Sequence, residues 1–204
     1  DVEALLETAT IPDDVRQDTI AACQRLAEVE AGIHGTTPDR IHFHELGAID
    51  TLVDIVGVLW GLKLLGVEKV YASALPVAPG WTQSLHGPIP LPALASLSLL
   101  RDVPLTPAPV EGELVTPTGA ALLTHLVEGF GPPPAMTLRT VGYGAGSKDF
   151  SRPNVLRLWL GEVEQKVTLE PLLLLETNID DMNPQIYEHV SEMLFGAGAL
   201  DVTL

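Results

Sequence analysis

The chain has 204 residues, 46% hydrophobic and 19% charged, with a formal charge of −16. That length and apolar fraction allow one large domain, or one domain and part of another, around a sizeable core. The charge opposes nucleic-acid phosphate and anionic membrane surfaces, and 11 Lys+Arg with 5% aromatics cannot build a basic stacking platform.

The single cysteine, Cys23, excludes an intrachain disulfide and points to a reducing, cytoplasmic setting; no signal peptide is visible. Asp1 at the start and a strand-like Asp201–Leu204 at the end suggest a processed or truncated chain.

Val2 to Ala9 reads as a short helical turn, and Pro12 suits the first position of the next helix. There Val15, Thr19, Ala22, Cys23, Leu26 and Ile33 recur at helical spacing, and Gly35 ends the run. Cys23 lies on the apolar stripe, as core rather than as a thiolate ligand, and His34 is favourably placed against the helix dipole.

Ile41 to Asp54 is the densest chemical stretch. Read as a strand, His42 and His44 share one face, about 7 Å apart at Cα. Gly47 breaks the strand, and Ile49 to Leu65 reads as a helix stopped by Gly66. Asp50 and Asp54, four apart, share a helical face, and Asp50 sits near the favourable N-terminus. Imidazole and carboxylate suit divalent transition metals, so His42, His44, Glu45, Asp50 and Asp54 are metal candidates. The plainer alternative is an N-capping Asp50, a buried, hydrogen-bonded Asp54 and a solvated histidine face. A buried acid in so apolar a helix is costly without a partner, which favours a functional cluster. Asp54 and Lys63 leave only Ile55 to Leu62 uncharged, too short to cross a bilayer.

Glu68 to Ser73 is a second strand, so a strand-helix-strand unit with parallel pairing is expected. Leu75 to Pro92 reads as a long Pro/Gly-bearing loop carrying His86. Pro92 to Leu100 is helix, and Val103 to Val110 is extended. Thr116 is a good N-cap and Pro117 a good first residue for a helix over Thr118 to Glu128. Its N-terminus, with Thr116, Thr118 and Gly119, could hold an anion or could simply be a capped helix.

Met136 to Val141 is strand, and the glycines Gly142, Gly144 and Gly146 follow, with Lys148 and Arg152 able to neutralise phosphate. The spacing is that of neither a dinucleotide fingerprint nor a P-loop, and a glycine-rich hairpin is the default. Val155 to Leu160 is strand. The polar run 162–170 reads as a linker between a domain over 1–161 and a second over 171–204. Leu172 to Thr177 is a strand, Pro184 opens a helix to Phe195, and Leu200 begins another strand. Glu176, Asn178, Asp180 and Asp181 gather oxygen ligands suited to Mg²⁺ or Mn²⁺. The fold class is α/β, with α+β as the alternative: a mixed sheet with flanking helices.

Four blocks resemble the nickel-insertion protein family of the lactate racemase maturation system (LarC). They are His42–Ala48 with Asp50 and Asp54, Glu113–Ala120, Val141–Gly146 through Arg152–Val155, and Glu176–Pro184. The resemblance implies a nickel chelatase, a metal-inserting lyase of cofactor biosynthesis. Its activity would be CTP-dependent insertion of Ni²⁺ into pyridinium-3,5-bisthiocarboxylic acid mononucleotide, giving the nickel-pincer nucleotide. Mg²⁺ or Mn²⁺ would assist CTP, and a homo-oligomer without nucleic-acid or membrane partners is expected. Carried onto this sequence, the five His/acid residues form the metal site. Thr116, Thr118, Gly144, Lys148 and Arg152 meet the substrate phosphate, and Asp180 and Asp181 the cation with CTP. The family begins with an extra strand and a Gly/Ser/Asp turn absent here, and continues into a ferredoxin-like nucleotide-handling domain barely begun at Leu204. This stretch alone is therefore expected to bind metal or substrate without completing CTP chemistry. A non-catalytic metal-delivery module and a metal-dependent hydrolase are the alternatives.

Overall fold

The computed structural model describes residues 2–41, 48–84, 87–163, 173–176 and 183–203. The helices are α1 (Val2–Thr8), α2 (Asp13–His34), α3 (Ala48–Leu64), α4 (Leu94–Leu99), α5 (Pro117–Leu126) and α6 (Tyr187–Gly196). The strands are β1 (Val70–Ala72), β2 (Leu75–Val77), β3 (Trp81–Ser84), β4 (Gly87–Pro90), β5 (Leu105–Pro107), β6 (Val127–Phe130), β7 (Met136–Ala145) and β8 (Val155–Val163). The chain divides into two compact units, Asp1–Glu164 and Gln165–Leu204.

The core of the first unit is helical. The expected stripe on α2 is buried at Val15, Thr19, Ala22, Cys23 and Leu26, but Ile33, read as part of it, is exposed near the helix end, and α2 packs against α3, α4 and α5. Leu26, Ile55 and Leu99 are the large side chains at its centre, each worth about 2 kcal/mol on removal from water. Thr19 is equally buried because its hydroxyl donates to Val15 O at 2.7 Å. Gly35 and Gly66 end α2 and α3 in the left-handed conformation, at φ 62° and 67°. At both ends a following amide reaches back, Thr36 N to Ala31 O at 2.9 Å and Val67 N to Leu62 O at 3.0 Å, the αL stop that glycine permits.

The class is α/β, and among the described residues the expected mixed sheet appears as four two-stranded sheets: β1–β6 and β2–β5 parallel, β3–β4 and β7–β8 antiparallel. The reason lies in strand length and proline. β1 to β6 have three or four residues each, and Pro76, Pro88, Pro90 and Pro107 remove ladder donors. The stretch from Leu75, read above as loop, in fact contains β2, β3 and β4. Leu91 N donates to Gly80 O at 2.9 Å, so Pro88 and Pro90 fall on the alternate positions and face the outer edge, where a missing N–H blocks further pairing. β1 pairs in parallel with β6, a strand the sequence did not predict, while the strand expected to pair with it, ahead of α3, falls on residues 42–47, outside the described residues. Lys69 and Glu128 flank that pair at 3.2 Å, and Glu128 raises the Lys69 pKa through hydrogen bond and charge.

β7 and β8 form the longest ribbon, and β7 runs on through Gly142 and Gly144 to Ala145. Tyr143, Val155 and Trp159 are exposed on one face, Leu156 and Leu158 on the other. In the second unit, Asn183 caps a short 3-10 turn by accepting from Gln185 N, and α6 follows. The strands expected near Leu173–Glu176 and Asp201–Thr203 are not formed: these residues carry no regular structure, and Leu173–Leu175 are 79–84% exposed. Apolar content alone does not make a strand without a ladder partner. Among the described residues no helix is long and apolar enough to cross a membrane.

Candidate functional site

Two regions carry the candidate residues. The first is the N-terminal half of α3. His42, His44 and Glu45 lie outside the described residues, as do His86, Asp180 and Asp181. Asp50 stands in the first turn of α3, and Asp54 one turn later. Both are exposed, so the reading of Asp54 as a buried acid is corrected. The buried side of α3 is set by Leu52, Ile55 and Leu59, which turns Asp50 and Asp54 outward with Ile49 and Val53, 71% and 63% exposed. Neither aspartate makes a hydrogen bond or ion pair with another described residue. They are therefore available as oxygen ligands but do not alone complete a site. Among the described residues, no three His, Cys, Asp or Glu side chains come together as a metal cluster.

The second region is a junction of three loops. Before α5 the chain runs through Glu111–Val115, held from below by Ser96. This serine is fully buried, and its hydroxyl donates to Val115 O at 3.1 Å. Thr116 then caps α5 as expected, its Oγ1 accepting from Gly119 N at 3.2 Å. That hydroxyl is thus engaged by its own helix. Thr118, the second residue of α5, is half-buried.

Gly112 joins this loop to its neighbours. Its N–H donates to Pro79 O at 3.0 Å, and its φ of +132° is one that side chains resist. The loop 146–154 between β7 and β8 lies on its other side. There Phe150 occupies the space beside Gly112, and Lys148 Nζ stands 3.7 Å from Glu113 Oε2. Asn154 holds the loop's base: its Nδ2 donates to Lys148 O at 2.9 Å, and its carbonyl accepts from Gly146 N at 2.9 Å. Arg152 is exposed on the same loop and makes no ion pair with a described residue.

The structure thus brings Lys148 to the loop preceding the Thr116 cap, through Glu113. The glycine-rich stretch takes the hairpin form read as its default. Gly142 and Gly144 lie opposite Leu158 and Leu156 in the ribbon, because the alternation of glycine with Val141, Tyr143 and Ala145 is strand periodicity. Gly112, Glu113, Phe150 and Asn154 were not singled out by sequence reasoning. Glycines flanked by acids at 111–113 were a weak hint, but Phe150 carried no local signal.

A model of the family described as nickel insertion protein matches residues 1–204. A relative from Synechococcus elongatus, provisionally described as a nickel insertion protein, is 47% identical over 98% of this chain and 52% of its own length. One so described from Geobacter sp. is 55% identical over 88% of this chain and 47% of its own. A pyridinium-3,5-bisthiocarboxylic acid mononucleotide nickel insertion protein from Desulfitobacterium hafniense is 46% identical over 99% of this chain and 52% of its own length. The chain therefore spans about half the length of the curated relatives it matches. No solved structure matches it.

Proposed function

Because this chain belongs to the nickel insertion protein family, we propose that it is the metal- and substrate-binding part of an enzyme that inserts nickel into pyridinium-3,5-bisthiocarboxylic acid mononucleotide. The observation that carries this reading is the family match along residues 1–204. Nickel is a substrate here. His42, His44 and Glu45, on the segment feeding α3, receive it together with Asp50 and Asp54, a set whose nitrogen and oxygen donors suit Ni²⁺. The outward position of both aspartates, without a partner among the described residues, supports this assignment.

Lys148 and Arg152, beside the Thr116–Gly119 end of α5, bind the phosphate of the mononucleotide; Thr118 and Gly144 flank that region. Lys148 exchanges Glu113 for the phosphate, a better partner because it offers two negative charges and three acceptor oxygens. CTP activates the phosphate: a phosphate oxygen attacks the α-phosphorus of CTP and pyrophosphate leaves. A divalent Mg²⁺ or Mn²⁺ would neutralise the triphosphate, with Asp180 and Asp181 as its candidate ligands.

The full-length protein is expected to load nickel into the mononucleotide only when CTP is present, measured as cofactor formed per protein. Replacing His42 and His44 together by Ala abolishes nickel binding in calorimetry; unchanged affinity removes that site. A second reading, a non-catalytic delivery module, is favoured by the formal charge of −16, which suits cation capture. It predicts stoichiometric nickel binding that CTP does not alter.

A further inference from the structure

Gly80, Gly112 and Phe150 stack in sequence. A Cβ on Gly80, at φ +138°, would stand 3.2 Å from Gly112 N, and one on Gly112 would stand 2.7 Å from Phe150 Cε1 and 3.1 Å from Cζ. The missing side chains allow two backbones and one ring to close on each other, although the three residues come from distant parts of the chain. The floor under the ring is fixed, since Gly112 N–H is bonded to Pro79 O.

The loop 146–154 has few other anchors. Asn154 holds Gly146 N and Lys148 O, and residues 149–153 make no hydrogen bond with another described residue. The Lys148–Glu113 pair is 3.7 Å long, and the Lys148 side chain is 51% exposed. An ion pair of that length and exposure is weak. The ring on Gly112 is therefore what holds the outer part of the loop, which carries Arg152 and follows directly on Lys148.

We infer that Phe150 is a positioning residue: seated on Gly112, it holds Arg152 and, together with Asn154, Lys148 in place before an anionic substrate arrives. The loop is pre-ordered by packing, so the charge on Lys148 stays exchangeable between Glu113 and a phosphate group. This rests on the reading that Lys148 faces the substrate phosphate. The chemical class of ligand is a phosphomonoester, and Phe150 itself need not touch it.

The test uses the full-length protein with Phe150→Ala, Phe150→Tyr and Lys148→Ala. Trypsin cleavage after Lys148 in the native protein, without substrate, reads loop order directly. Phe150→Ala should speed that cleavage about tenfold and raise KM for the mononucleotide about tenfold, since substrate must then order the loop itself. Its kcat should stay within about twofold, and Phe150→Tyr, which keeps the ring, should restore both readouts. A merely structural role would lower apparent kcat through loss of folded protein and leave KM alone. Should Phe150→Ala fail to fold, Phe150→Leu makes the same comparison with a smaller apolar group. Unchanged cleavage and unchanged KM in the folded variant overturn the inference. The two layers separate: if Lys148→Ala raises KM while the Phe150 variants change nothing, the phosphate reading stands and the positioning role falls. If loss of the ring frees the loop while Lys148→Ala leaves KM unchanged, loop ordering stands but its role toward substrate falls with the phosphate reading.

Discussion

Ser96 offers the sharpest test of how the helical core supports the loop junction. It is fully buried on α4, and its hydroxyl reaches across to Val115 O at 3.1 Å, the residue just before the Thr116 cap. Ser96→Ala keeps the size of the site nearly constant and removes one donor. The net bond is worth about 1 kcal/mol, and leaving the carbonyl without it costs roughly 1–3 kcal/mol. An effect of about 1.5 kcal/mol follows. For a unit of this size, Asp1–Glu164, each kcal/mol shifts Tm by roughly 2–4 °C, so a fall of about 3–6 °C is expected. Calorimetry and guanidinium unfolding measure it, with the denaturant slope unchanged. A double cycle with Thr116→Ala should show coupling of at least about 0.5 kcal/mol, because neighbouring residues of one turn are perturbed together. Melting of Ser96→Ala within about 1 °C of the parent would refute the claim that this bond holds the turn.

Asp50→Asn with Asp54→Asn should weaken nickel binding by at least about tenfold in calorimetry; stability should move by less than about 0.5 kcal/mol because both side chains are exposed. The hydrogen bond from Lys63 lowers the Asp14 pKa. A depressed carboxylate pKa contributes stability above its unfolded value and loses it as pH falls through the folded value. Asp14→Asn should therefore lower stability slightly at neutral pH, and the difference should fade as the pH falls below the ordinary carboxylate range, seen in acid-unfolding curves. Burial pushes the Cys23 thiol up to about 11. The native protein should accordingly resist alkylation at pH 8 and react quickly once unfolded, followed by mass spectrometry.

Signals confined to a few consecutive residues were legible. The αL glycines Gly35 and Gly66 and Thr116 before Pro117 are decided by atoms within one turn and appear where their residues predicted, as does the stripe on α2 from Val15 to Leu26, though not at Ile33. In the candidate metal region, sequence placed Asp50 and Asp54 on one helical face, and that much holds. It read Asp54 as buried, because hydropathy shows how apolar a helix is but not which side of it meets the core.

The sequence by itself determined the helices, the ends marked by Gly35 and Gly66, and the family, all written in local spacing or in ordered blocks of residues; the helix read over Thr118 to Glu128 instead stops at Leu126, just before β6 begins. Only the tertiary structure decided that β6 is the partner of β1, that the proline-rich stretch after Leu75 pairs into strands, and that Phe150 rests on Gly112. A helix satisfies its backbone from within, whereas a strand or a ring in a glycine notch depends on a partner remote in the chain. No window of neighbouring residues contains that partner, so its choice belongs to the folded chain alone.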